Sequence, residues 1–231
     1  MDKLQMFLGM PFSTDTNCKI KSPTVRSIAE IGEGMYNFYL SLASFNKDEL
    51  VKALFNPSFE EMKEIQEYDD YNFLISTPLL SELERALSFF TGSNVIFLND
   101  MFLIDGLTLV SLDNYKEISR VVQELNGIQE KEKPKFSNKT AEKNYYLMLE
   151  MEQKYNSNES LSLKDICSIL CNAEGNGINV FNIGDLTIYQ LYEHFERLSV
   201  KESHRRMLQV WANGHLKDDI KLQDWLVKTK L

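Results

Sequence analysis

The sequence predicts an α+β fold that is predominantly α-helical, an irregular helical bundle carrying one or two small β-hairpins. Three observations lead there. Apolar residues recur at helical spacing over long stretches, most clearly after Asp185. Short apolar runs flank Asn99-Asp100, residues that tolerate the positive φ angles of a tight hairpin. With 43% hydrophobic and 11% aromatic residues in 231, the chain can bury a sizeable core, and wholesale disorder is not expected.

Taken in order, Gln5–Leu8 and Cys18–Ile20 read as two short strands forming an N-terminal hairpin around the polar loop Ser13–Asn17. Ser22 and Pro23 signal a helix start. That helix runs to about Ser44, with Val25, Ile28, Ile31, Met35, Phe38, Tyr39 and Leu42 on one face, interrupted by Gly32 and Gly34. Each glycine costs about 1 kcal/mol in a helix interior and reads as close packing or a kink. They lie inside a helical pattern, so a phosphate loop, which needs a strand before its glycines, is rejected.

A short helix is expected over Asp48–Phe55 and an acidic one from Ser58 to about Tyr68, with a short apolar run over Tyr71–Ile75. A helix restarts at Thr77-Pro78 and reaches about Phe90, burying Leu79, Leu80, Leu83, Leu87 and Phe90. Val95–Leu98 and Met101–Ile104 form a hairpin. Leu107–Val110 follows Asp105-Gly106 as a third strand or a continuation, and a helix then extends to Asn126-Gly127.

Gln129–Ser137, charged and broken by proline, is the candidate linker between an N-terminal region, 1–130, and a C-terminal helical region, 139–231; the two could equally share one core. Helices are expected over Lys139–Tyr155 and Ser162–Asn172. A loop covers Glu174–Gly177, and Ile178–Ile183 is an apolar approach to the long helix. That helix has Asp185 as its expected N-cap and stops near Asn213-Gly214. Its apolar positions include Leu186, Tyr189, Tyr192, Phe195 and Leu198, and its polar face carries Glu193, Glu196, Arg197, Lys201, Glu202, Arg205 and Arg206. Leu222–Val227 would add a last amphipathic turn or two.

The net charge of −9 and the absence of a basic stripe speak against a nucleic-acid binder, which must neutralise phosphates. Three cysteines, Cys18, Cys167 and Cys171, fit a reducing interior. The apolar run at the N-terminus is too short for a signal peptide, and no stretch is long enough for a membrane span, so a cytoplasmic protein is expected.

Catalysis needs an activated group and its activating partner. His194 and His204 stand ten residues apart on one helix, so they point about 80° apart and lie about 15 Å apart along the axis. They cannot share a metal. Cys167 and Cys171 share a helix face, but a zinc site needs two further ligands, and apolar neighbours favour burial. The doublets Glu60-Glu61, Asp69-Asp70 and Asp218-Asp219 read as ordinary surface acids, although a dispersed acidic hydrolase site is a competing reading. No catalytic, cofactor-binding or metal site is expected. Aromatics give large contact area at low entropic cost, so Tyr189, Tyr192, Phe195, Trp211 and Trp225 are the candidates for a protein-binding face, against a competing reading as core. Tyr36 and Tyr39 stand on the same footing.

Three regions together carry a resemblance: Phe7–Phe12 through Leu40, the hairpin and helix from Val95 to Asn126, and Asp185 to Glu202. The arrangement resembles the tail assembly chaperones of long-tailed (siphovirus-type) phages of Gram-positive bacteria. The resemblance implies a non-enzymatic protein of the host cytoplasm that binds the tape-measure protein, covering its apolar helical surface during tail assembly. It also implies a tendency to oligomerise and no role at a membrane or on nucleic acid. The alternatives are a structural virion protein of the tail or connector, and a phage-encoded inhibitor of a host protein.

Overall fold

The computed structural model describes residues 2–47, 50–51, 68–128, 161–214, 224–229 and 231. Among these residues the fold is α+β and mostly helical, with eight α-helices and antiparallel sheets of two and three strands. The expected helices over Asp48–Phe55, Ser58–Tyr68 and Lys139–Tyr155, and the linker over Gln129–Ser137, lie wholly or largely outside the described residues.

The N-terminus departs from expectation. Lys3–Phe7 is helix α1, with the Asp2 carboxylate accepting from the Leu4 amide. The two-stranded sheet pairs β1, Phe12–Ser13, with β2, Lys19–Ile20. Gln5–Leu8 is therefore not a strand: the acidic cap and the single buried apolar residue, Met6, favour one helical turn docked by one side.

The expected first helix is two. Helix α2, Val25–Ile31, is capped by Thr24 rather than Ser22, and α3 spans Glu33–Ala43. Gly32 between them has φ 87° and ψ 144°, a conformation that glycine adopts without a Cβ penalty. The break resets the rotational phase. Tyr36 is buried together with Leu42 and Ala43, and Met35, expected inside, is exposed.

Helix α4, Asp70–Ile75, was expected only as an apolar run; Asp69 caps it by accepting from the Tyr71 amide at 2.9 Å. Helix α5, Leu80–Thr91, buries Leu83, Ala86, Leu87 and Phe90 and ends on Gly92 in the left-handed region. Strands β3, Ile96–Leu98, β4, Met101–Ile104, and β5, Leu107–Val110, follow as a meander. Both connections place two consecutive residues at positive φ: Asn99 and Asp100, then Asp105 and Gly106. That is the backbone twist a two-residue hairpin demands. Helix α6, Tyr115–Leu125, packs against α3.

Aromatic rings mark the centre of this half. Tyr71 stacks on Phe45 at 6.0 Å, meets Phe102 edge-on and lies 5.6 Å from Tyr115. Each phenol has a partner: Tyr71 donates to the Asp100 carbonyl at 2.7 Å and Tyr115 to the Asp69 carboxylate at 2.8 Å. Buried hydroxyls left unpaired would cost about 1–3 kcal/mol each.

Helix α7, Leu163–Asn172, opens with a reciprocal Ser162–Asp165 capping box. A short 3₁₀ turn, Ile183–Asp185, precedes α8, Ile188–Ala212. The cap of α8 is Thr187, not Asp185; its hydroxyl accepts from the Gln190 amide while the Gln190 side chain accepts from the Thr187 amide. Asp185 instead pairs with Arg26 at 3.1 Å. Residues 224–229 are not helical, unlike the amphipathic turn expected there.

Helices α2 and α8 start side by side. The Val25 amide donates to the Leu186 carbonyl and the Ile188 amide to the Pro23 carbonyl. Each helix thus supplies a partner for an amide that its own first turn leaves free. Buried residues of α8, Ile188, Tyr189 and Leu191, join one apolar cluster with Ile28, Tyr36 and Val122 from the first half of the chain.

Candidate protein-binding surfaces

Helix α8 is gripped at one end and bare at the other. Its first turns pack against α1 and α7. Tyr189 is only 3% exposed and belongs to the core, so it is not available as a contact residue. Tyr192 and Phe195 are half-buried and line a groove of about 490 Å³ with Tyr36, Leu40, Asn126 and Ile128. The groove floor is fixed by polar bonds: the Tyr36 hydroxyl donates to Asn126 Oδ1 at 2.9 Å, and Asn126 Nδ2 donates to the Val122 carbonyl at 2.6 Å. Burial, with the Tyr192 phenol a lesser cause, pushes the Tyr36 phenol well above its ordinary range, so it stays a neutral donor.

Leu231 also lines the groove, and its carbonyl accepts from Lys3 Nζ at 2.6 Å. Arg197 donates to the Val227 carbonyl at 2.6 Å. These contacts lay the described residues after 224 along α1 and α8. Trp225 sits there, partly exposed and away from the groove lining. Trp211, the penultimate residue of α8, is 58% exposed and is joined on the surface by Leu208 and Val210. The five expected contact residues are therefore dispersed: one in the core, two in the groove, one on the bare end of α8 and one on the C-terminal segment.

A further surface escaped the sequence reading. Between buried Ile178 and Ile183, Val180 and Phe181 stand 73% and 87% exposed. The loop is held from within by three asparagines. Asn176 Oδ1 accepts from the Ile178 amide, Asn179 Oδ1 from the Phe181 amide and Asn182 Oδ1 from the Asn179 amide, all within 2.9 Å. Asn182 Nδ2 donates back to the Gly177 carbonyl. Ordered backbone thus holds a phenyl ring in water, which is unfavourable for folding and useful for contact. The signal was in the sequence: asparagines three residues apart, each able to close an Asx turn, around an apolar pair.

The polar candidates are tied into structure. Asp69 caps α4 and accepts from Tyr115, and Asp70 pairs with buried Lys47 at 3.3 Å. Glu60-Glu61 and Asp218-Asp219 lie outside the described residues. Cys18 is buried, its thiol directed at the Leu107 and Thr108 carbonyls. Burial, then the neighbouring Cys171, pushes the Cys167 thiol up and away from the reactive thiolate. His194 lies against Phe7 at 5.9 Å, and loss of solvent there lowers its pKa. Among the described residues no three His, Cys, Asp or Glu side chains converge as a metal site, and no helix is long and apolar enough to cross a membrane.

Comparison with known families adds one finding. A family model described as YomV second domain matches residues 153–230, the stretch that holds α7, the Phe181 loop and α8. That family is phage-derived, from Bacillus phage, and the match is consistent with a phage protein. No curated protein and no solved structure matches the chain.

Proposed function

We propose that this chain is a non-enzymatic phage assembly factor that binds another protein, and that its partner is the tape-measure protein during tail assembly in the host cytoplasm. The observation that carries the reading is the bare end of α8, where Leu208, Val210 and Trp211 sit in water on a helix anchored firmly at its other end. Apolar side chains on a rigid element suit transient cover for a partner's apolar face. The phage-derived family match over the same residues supports the setting. Tyr192 and Phe195 in the groove, and Phe181 on its loop, supply further apolar contact.

The test is co-expression with the longest helical reading frame downstream of this gene. The expected result is that the long protein becomes soluble and co-purifies, and that Trp211→Ala reduces its recovery. A long protein that stays insoluble while this chain purifies alone would refute the assignment. Recovery of this chain in purified particles would favour the structural virion reading instead.

A further inference from the structure

The groove of about 490 Å³ beside α8 is covered on one side by Leu231. A Cβ at Gly127 would stand 2.9 Å from Tyr192 Cδ2 and 3.4 Å from Leu231 Cδ2, so ring and leucine close over the same glycine. Leu231 is half-buried and packs against the core, as Tyr192 and Phe195 do. Of the described residues from 224 onward only Thr229 and Leu231 are half-buried. Residues 224–228 are exposed, Leu226 at 71%.

Little else holds this strap to the fold. It forms no helix or strand, and among the described residues its backbone bonds to no other backbone group. Two cations tie it down, Arg197 on the Val227 carbonyl and Lys3 on the Leu231 carbonyl, and both bonds are exposed. Arg197 also faces Glu193 at 3.6 Å, so it keeps a partner when the strap leaves. The Asp224 carboxylate accepts from the Leu226 amide, which gives the strap a turn of its own but no grip on the fold. One half-buried leucine and two water-exposed bonds thus stand against the entropy of ordering the segment. The groove behind it is built differently. Tyr36, Asn126 and Val122 are locked by buried hydrogen bonds in which the strap has no part, so the floor keeps its shape when uncovered.

We infer that the strap carrying Val227 and Leu231 is a displaceable cover, an intramolecular ligand that a partner's apolar segment must remove to reach Tyr192, Phe195 and Ile128. The inference rests on the protein-binding reading above and adds its regulation: the groove is masked until the partner is present. Tethering gives the strap a high effective concentration, so weak contacts suffice to keep it seated. A partner that supplies more apolar contact than one leucine wins the groove. Until then the strap keeps the apolar lining from standing open in water.

The experiment compares the full chain with one ending at Gln223, using the apolar dye anilinonaphthalene sulfonate as the probe. Removing the strap is expected to raise dye fluorescence at least about three-fold. Ile128→Ser, at an exposed position of the lining, is expected to abolish most of that gain. In the full chain, Leu231→Ala is expected to give a large part of the gain and the pair Lys3→Met and Arg197→Met a smaller part, with far-UV circular dichroism unchanged. These point variants carry the test if the shortened chain loses cooperative unfolding. Equal dye fluorescence in all folded forms, or a gain that Ile128→Ser leaves in place, overturns the inference. In the co-expression pull-down the shortened chain is expected to recover at least about three-fold more of the long protein, because no tethered competitor remains. A failed pull-down beside an Ile128-dependent dye gain would sink the partner assignment and leave the strap standing. A successful pull-down with no dye gain would do the reverse.

Discussion

Gly127 ties the stability of the chain to the shape of the groove. It follows α6 with φ +73°, while the Ile128 amide reaches back to the Gln123 carbonyl at 2.9 Å in a glycine-closed helix end. A Cβ at this position would stand 2.9 Å from Tyr192 Cδ2 and 3.4 Å from Leu231 Cδ2. Gly127→Ala therefore meets two penalties. The left-handed backbone costs about 1–2 kcal/mol for any residue with a Cβ. Displacing a half-buried ring adds about 1–2 kcal/mol, the lower range for overpacking. Gly106 separates the two. It has φ +79° but nothing within 4 Å of its would-be Cβ, so Gly106→Ala incurs the backbone penalty alone. Urea unfolding followed by far-UV circular dichroism should place Gly127→Ala about 1–2 kcal/mol below Gly106→Ala. For a chain of this size that is about 2–4 °C in Tm per kcal/mol. Adding Tyr192→Ala to Gly127→Ala should recover the difference, a coupling a double-mutant cycle reads directly. Equal losses for the two glycines, or no coupling to Tyr192, would show that Gly127 is not packed under that ring.

Three other outcomes follow, one from the buried phenols and two from the exposed loop. Burial, with the Asp100 carboxylate a second cause, holds the Tyr71 phenol up to about 12, and burial with the Asp69 hydrogen bond drives Tyr115 higher in the same direction. In the unfolded chain these groups ionise near about pH 10, so their stabilising effect is complete below that pH and is lost as pH rises from about 10 through 12. Tm should be level from neutral pH to about 9 and fall above 10, and Tyr71→Phe should flatten the fall; an unchanged slope would refute the assignment. At the exposed loop, Asn182→Ala removes the bonds to the Asn179 amide and the Gly177 carbonyl. Hydrogen exchange at Asn179 should accelerate while Tm moves little. Phe181→Ser should leave stability within about 0.5 kcal/mol, because the ring is already in water; a larger loss would mean that the ring packs within the fold.

The meander from Ile96 to Val110 and the helix after it were legible because their signals are local. Asn99-Asp100 acts within a few residues, and the structure places it at the hairpin as expected. The errors arose where two local signals competed or a distant contact decided. Asp185 and Thr187 are both good caps, and Asp185 is drawn off by Arg26, which is 159 positions away in sequence. Gly32 was seen as an interruption, but its effect on phase, which brings Tyr36 inward and turns Met35 out, follows only from its φ and ψ. Tyr189 could not be told from an interface residue because a helix wrapped by α1 and α7 buries more than one face. Val180 and Phe181 lie in the apolar approach expected over Ile178–Ile183, and the asparagine side chains that close their loop hold them in water.

The mutual capping of α2 and α8 also governs the order in which the chain can fold. The amide of Val25 waits for the carbonyl of Leu186, and that of Tyr189 meets Ser22 Oγ from 167 positions away. On the ribosome, at about 5–20 residues per second, Ile28 and Tyr36 are made many seconds before Ile188 and Leu191 can cover them. The first half must therefore persist with part of its apolar surface open until the long helix emerges. Contacts this distant in sequence close late, because the intervening chain must first be made and ordered. A nascent chain stalled before Leu186 would lack the closing contacts of α2 and would leave that apolar surface exposed to folding factors.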